Sequence, residues 1–453
     1  SLALVAAGIL ALSPWHIQYS RAGFEVTQML FFYLIGLYFF FKSFHNSKFI
    51  ILSSVCLALT PWVYSTAKLF TPLLLVFLIL VYRKEIFKIS KKYIVYAIIA
   101  FIVVGGPITY STFFGGGTQR ISYISVFTDP INETEIGVAR LEDARARGET
   151  GTGIAPSILD RAIHNKFTYV GSNFIRNYFQ PFSFDFLFNN GDPNPRHSIH
   201  HMGEFYKIEA AALLAGTVLF FSSKIYERRT KLLIAFWTLA GVIPVAMTRD
   251  GGNHATRLIL ILPPLVFLIA FGVVEGLRLF PLRFRKFVIL IYFGLWVLSF
   301  GFYIHNYWVH NPTYSERWWH AGYSEAVKEI KKIDSGYDKV VISTASEPPW
   351  IFFAGFYEFD PATWQKNFPI GSDVDVVGIG RVSHIGKFYF GSPSGGLYDW
   401  GAVLDSKTLY LASEKEVKVN LIAEPNRTPP NLKLIKAFSY PSGEPVYYLF
   451  SGK

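Results

Sequence analysis

Hydrophobic residues in this chain fall in long unbroken runs, without the single-face spacing of a surface helix or the alternation of a half-buried strand. Nine runs stand out: residues 1–12, 26–41, 49–64, 67–82, 93–110, 206–222, 232–248, 257–277 and 287–303. A helix that crosses a bilayer needs roughly 20 mostly apolar residues, and fewer where aromatic and basic residues carry its ends into the interface. Each run therefore reads as one span, the first of them truncated. After residue 303 the pattern changes. Amphipathic helical spacing over residues 323–333 is followed by short apolar or alternating stretches at 339–343, 374–379, 408–412 and 446–450, which predict strands. A stretch of this length can bury a core of its own.

The fold class predicted is mainly α. A polytopic membrane helix bundle of about nine spans covers residues 1–303, and an extracytoplasmic α/β domain covers residues 304–453. The fifth and sixth runs are separated by residues 111–205, too long for a simple connection. Its turn-rich first half is expected to be flexible, and its aromatic second half, from His164, to pack on the membrane face.

Composition agrees with this reading: 51% of residues are hydrophobic and 17% charged, with 43 Phe and 26 Tyr, too apolar for an ordinary soluble domain. The net charge of +11 does not point to nucleic acid, because the basic residues sit mainly in short connections. The connections at 42–48, 83–92, 223–231 and 278–286 hold 15 Lys and Arg, whereas 13–25, 65–68 and 249–256 hold only Arg21, Lys68 and Arg249. By the positive-inside rule the first set is cytoplasmic. The long loop and everything after residue 304 then face outward from a plasma (inner) membrane that the chain crosses many times. The single cysteine, Cys56, lies inside an apolar run and has no disulfide partner. The chain opens within a run and has no basic segment ahead of a cleavage site, so it reads as lacking its N-terminal part.

Two glycine motifs do not carry nucleotide chemistry. The Gly115–Gly117 run lacks the lysine and serine of a phosphate loop, and "GIGRV" at Gly378 lacks the third glycine of a dinucleotide fingerprint and reads as a strand and turn.

Candidate chemistry follows from where charges lie. The middles of the spans carry essentially none, which argues against ion-coupled transport. Polar residues gather instead at the outward mouths, in four clusters. These are His16, Arg21 and Glu25 in "SPWHIQYSRAGFE"; Tyr64 and Lys68 in "PWVYSTAKL"; Asp192, Arg196 and His197 in "NNGDPNPRHSIHHMG"; and Asp250, His254 and Arg257 in "TRDGGNHATR". Each has a plainer reading beside the functional one. His16, Arg21 and Glu25 suit interfacial anchoring beside Trp15 and Tyr19, with Arg21 and Glu25 paired a helical turn apart. Lys68 suits snorkelling to lipid phosphate, although Tyr64 four residues earlier would share its face. His197, His200 and His201 have a spacing that a divalent metal accepts, but without a helical glutamate the zinc signal is weak, and no cofactor or metal is assigned. Cations at headgroup level beside apolar spans fit a ligand with a phosphate head and a long hydrocarbon tail.

In their order and spacing, "LALSPWHIQYSRAGFE", "PWVYSTAKLFTPLLL", "DFLFNNGDPNPRHSIHHMG" and "TRDGGNHATRLILILPPL" resemble the bacterial GT-C membrane glycosyltransferases of the protein-mannosyltransferase and aminoarabinose-transferase branch. The resemblance covers residues 1–303. It implies a polyprenyl-phosphate sugar donor, a glycan, lipid or protein acceptor on the outer face, and transfer with inversion. It also implies a carboxylate base in a first external loop, which precedes Ser1 here, so the catalytic residue is unassigned. Lys68 stands where relatives often carry arginine, a change that keeps the charge without the bidentate geometry. On this reading Lys68, Arg257, Arg196 and His197 hold the donor phosphate, while His16, Arg21, Glu25, Tyr64, Asp192, Asp250 and His254 line the site. Two other classes compete: a protein that binds or flips lipid-linked glycans, sharing the cationic cavity but needing no base, and a scaffold that needs no cavity charges. Membrane lipid is an expected partner and nucleic acid is not.

Overall fold

The computed structural model describes residues 1–115, 123–151, 153–249, 251–346, 348–368 and 374–453. It divides into two units, Ser1–Trp308 and Val309–Lys453, a few residues beyond the boundary expected at 303.

In the first unit every apolar run is helical: Leu2–Leu12, Val26–Ser43, Phe49–Val63, Ala67–Val81, Lys91–Phe114, Glu209–Ser222, Arg228–Ala240, Leu262–Arg278 and Leu282–His305. Among the described residues, five helical stretches are long and apolar enough to cross a membrane, and a sixth joins them if Leu2–Leu12 and Pro14–Arg21, bent by 59°, count as one. Phe49–Val63, Ala67–Val81 and Glu209–Ser222 are apolar but shorter.

Local chemistry sets where these helices stop and bend. The bend after Leu12 is a helix end and a restart. Ser13 is extended and its side chain accepts from the His16 N–H, while Pro14 occupies the first helical position, where a missing N–H costs nothing. Pro61 lies inside the Phe49–Val63 helix and leaves the Leu57 carbonyl without its usual donor. Thr60 Oγ1 donates to that carbonyl at 2.8 Å, and a buried relay from Tyr33 OH through Thr71 Oγ1 to Thr60 Oγ1 (2.7 and 2.6 Å) satisfies every hydroxyl on the way.

Glu209–Ser222 and Leu262–Arg278 lie closest together at Gly216 and Gly272. A Cβ on Gly272 would come within 1.8 Å of the Ala212 carbonyl oxygen, and one on Gly216 within 1.9 Å of that of Leu268. Small residues let the two backbones touch, as helices do in lipid.

The loop between the fifth and sixth runs departs from expectation. Its first half, expected to be flexible, contains a 16-residue helix, Ile131–Ala146, and residues 116–122 lie outside the described residues. Helices Ile158–Ile163 and Lys166–Phe179 follow, each opened by a capping box, at Ser157 and Asn165.

The second unit carries a seven-stranded sheet in the order β2-β3-β4-β1-β5-β7-β6. Its strands are β1 (Lys339–Ile342), β2 (Val374–Val376), β3 (Gly380–Ile385), β4 (Phe388–Phe390), β5 (Thr408–Ser413), β6 (Leu432–Ser439) and β7 (Pro445–Gly452). The central β1 runs parallel to β4 and β5, and the outer pairs are antiparallel. Val340 and Ile342 pack with Val327, Ile330 and Phe353 on one face, while Val341 packs with Leu397, Trp400 and Leu421 on the other. That is the period-2 logic of a strand covered on both sides.

Candidate functional site

The first unit encloses a hollow of about 570 Å³, with mostly apolar walls, between the Phe49–Val63, Ala67–Val81 and Lys91–Phe114 helices. Pro61 and Pro72, each inside a helix, lie in its walls. Its polar lining is sparse: Ser65, Thr66, Thr71, Thr109, Thr112, Ser125, Thr248 and two cations, Lys68 and Arg257. Lys68 stands in the first turn of Ala67–Val81. Arg257 stands in the short Ala255–Leu258 helix, and its Nη1 donates to Thr248 Oγ1 at 2.8 Å. Thr248 is fixed in turn by an isolated bridge to Ser125 and by the Asn177 side-chain amide, which donates to the Thr248 carbonyl at 2.8 Å. Two of the cations expected to hold a phosphate thus face one cavity from chain positions 189 residues apart (257 − 68).

A second polar group joins three of the four predicted clusters. Trp15 Nε1 donates to the Ala255 carbonyl at 3.2 Å and Gln18 Nε2 to the Arg196 carbonyl at 2.9 Å. Tyr19 OH and Thr256 Oγ1 are 2.8 Å apart, and Thr256 Oγ1 is 3.0 Å from His197 Nδ1. Asp192 accepts the Ala255 N–H at 2.8 Å through Oδ2 and the Asn194 N–H at 2.8 Å through Oδ1. His254 Nδ1 lies 3.9 Å from Asp192 Oδ2. Glu204, fully buried behind this group, accepts the Asp192 N–H at 3.2 Å. Gly191 holds φ at +66°, and a side chain there would collide with Ser198 Oγ, so glycine is required at this turn.

The electrostatics separate these residues by role. Burial, with His254, Arg196 and Arg257 nearby, pushes the His197 imidazole down to about 3, so the ring is neutral. Without a ligand it therefore offers a hydrogen bond or a lone pair. Burial beside Asp192 pushes the Glu204 carboxyl well above its ordinary range. The ligand atoms of Asp192, His197 and His254 lie within 4.8 Å of one another, a carboxylate and two imidazoles that suit a divalent ion such as zinc. The spacing motif His197, His200 and His201 does not form that group: only His197 of the three belongs to it, and the His200 and His201 rings lie against each other, tilted, with centroids 3.8 Å apart.

Several expected site residues lie elsewhere. Arg21 and Glu25 are not a turn apart on one helix: the first helix ends at Arg21, Gly23 takes φ +69°, and the next begins at Val26. The Arg21 guanidinium stacks on Tyr307 and Trp308, 5.2 Å from each ring, and Glu25 is exposed. Neither lines the hollow. Tyr64 is extended at the end of Phe49–Val63 and also stays out of the lining, so the four-residue spacing to Lys68 is not a helical turn. His16, half-buried, lies 3.4 Å from Ser20 Oγ. Arg196 approaches His197 without lining the hollow, and its buried Nε has no hydrogen-bond partner among the described residues. Asp250 lies outside the described residues. Sequence reasoning missed Thr248, Thr256 and Glu204. Of these, only Glu204, an acid at the mouth of an apolar run, left a visible signal.

No protein family, curated protein or solved structure compared with this chain matches it.

Proposed function

We propose that the first unit is a membrane glycosyltransferase that takes a sugar from a polyprenyl-phosphate donor and passes it, with inversion, to an acceptor outside the cytoplasm. The observation that carries this reading is the shared hollow: Lys68 and Arg257 line one mainly apolar cavity set among helices of membrane-spanning composition. An isoprenoid tail fits the apolar walls, and two cations offset the charge that builds on a departing phosphate. With the phosphate neutralised as it leaves, no general acid is compulsory, and orientation with electrostatic stabilisation supplies much of the rate. The Lys and Arg bias of the connections supports an outward cavity mouth, long loop and second unit, and the membrane on this reading is the plasma (inner) membrane.

The test is binding of undecaprenyl phosphate to the detergent-purified chain. Lys68→Ala and Arg257→Ala are each expected to weaken it about tenfold or more, the worth of one charge-assisted hydrogen bond, and Lys68→Arg to retain it. Unchanged affinity in both alanine variants overturns the site.

A second reading has its own support: among the described residues no carboxylate lines the hollow. A protein that binds or moves lipid-linked glycans needs none, whereas transfer needs a base to take the acceptor proton. Binding without transfer from a polyprenyl-phosphate sugar, in a protein that also carries the first external loop expected before Ser1, would favour this reading.

A further inference from the structure

Ile158–Ile163 and Lys166–Phe179 expose large apolar side chains that none of the described residues of their unit covers. Ile158 is 89% exposed, Phe167 91%, Leu159 65% and Phe179 64%, with Ile163 and Ile175 also more than half exposed. Isolated exposed apolar side chains are ordinary, but six large ones within 22 residues on two consecutive short helices call for an occupant. The opposite side is firmly held. Arg147 makes a bidentate pair with Asp160, both contacts at 2.6 Å. Arg140 Nε donates to the His164 carbonyl at 2.7 Å, and His164 Nε2 lies 2.8 Å from Asp143. Asn177 donates to the Thr248 carbonyl at 2.8 Å.

Charge identifies the occupant. Arg161, Lys166 and Arg176 are exposed along this pair of helices, and its only acid, Asp160, is buried and committed to Arg147. A helix with bulky apolar residues on one side, basic residues at its border and a fixed polar back suits the plane of an anionic bilayer surface. We infer that the two helices spanning residues 158–179 are a lipid-docking foot, seated in the headgroup region of a membrane containing anionic lipid. This rests on the reading that the first unit spans a membrane, but not on phosphate binding or transfer. Because Asn177 also holds the Thr248 carbonyl, and Thr248 Oγ1 accepts from Arg257, the foot connects membrane level to the cavity wall.

The single cysteine makes a direct test available. On a Cys56→Ser background, spin labels at Phe167→Cys, Ile175→Cys and Leu290→Cys are read in nanodiscs for collision with oxygen and with a water-soluble nickel chelate. Leu290, 68% exposed on Leu282–His305, is the reference for a span. Labels at 167 and 175 are expected to favour oxygen, as for residues below the phosphates. Water-like values there with a lipid-like 290 overturn the foot and leave the spans standing; a water-like 290 overturns the membrane reading as well. Combining Arg161→Gln, Lys166→Gln and Arg176→Gln should move the label at 167 toward water in discs containing phosphatidylglycerol, with about a fivefold loss of docking per charge removed. An identical depth with and without those charges overturns the requirement for anionic lipid.

Discussion

Asp160 shows how one residue can shape a loop that has little core of its own. Its carboxylate caps the turn at Ser157, accepting that N–H at 2.8 Å, and receives both arms of Arg147. The Arg147 hydrogen bonds, helped by those from Ser157, hold the Asp160 carboxyl far below the usual carboxylate range. The sign of the pH dependence follows. A carboxyl depressed by folding adds stability that is present above its unfolded value, about 3.9, and is lost as pH falls through the lower folded one. Hydrogen exchange corrected for intrinsic rates should therefore show steady protection of residues 158–163 from neutral pH to about 4, with loss below that. Asp160→Asn should weaken protection already at neutral pH and flatten the acid transition; a wild-type profile in that variant would refute the account. At this scale the sequence was informative where charge and depth coincide. Lys68 and Arg257 were legible as cations at the ends of apolar runs. Arg21 and Glu25 carried the same signal but lie off the cavity, because a positive φ at Gly23 breaks the helix between them and Arg21 stacks on Tyr307 and Trp308.

Among the elements, apolar length proved the most readable feature, and all nine runs are helical. Helix Tyr323–Ile333 and strands β1 and β5 were equally legible, having strong periodicity or buried β-branched residues. The elements that escaped have physical reasons to do so. Ile131–Ala146 is mostly polar around its circumference, burying only Asn132, Ile136 and Ala144, so no stripe marks it. Strand β6 carries a register shift between Leu434 and Lys436, which destroys the alternation that would have announced it. β4 is three residues long, too short for any pattern. The contact at Gly216 and Gly272 was also invisible, since a glycine in an apolar run does not reveal its partner. It yields a prediction nonetheless. Gly272→Leu must push the Glu209–Ser222 and Leu262–Arg278 helices apart, because the added atoms would overlap the Ala212 carbonyl. Such overpacking costs about 1–3 kcal/mol or more, so a lowered thermal midpoint in detergent is expected. Gly276→Leu, on the same helix with open space around it, serves as the control and should unfold like the wild type.

For the whole molecule, the open matter is which loops share a side of the membrane, because the proposed site needs Lys68, Arg257 and the loops around Asp192 on the same side. The charge bias of the connections predicts one assignment. Lys88 and Lys286 lie exposed in two basic connections, whereas Glu135 lies in the long loop and Asp375 in the second unit, both exposed. Cysteines placed singly at these positions on a Cys56→Ser background can be probed in intact cells with a maleimide that does not cross membranes. Glu135→Cys and Asp375→Cys should label directly, and Lys88→Cys and Lys286→Cys only after permeabilisation. If the long loop and the basic connections labelled alike, the alternation of sides would fail, and with it the outward cavity mouth. If only Asp375→Cys behaved like the basic connections, the crossings between the long loop and Val309 would be odd in number where the nine-helix reading requires four, while the cavity formed by residues 58–257 would keep its sidedness. The hollow and the second unit are thus testable separately, which matters because the proposed donor chemistry depends on the first alone.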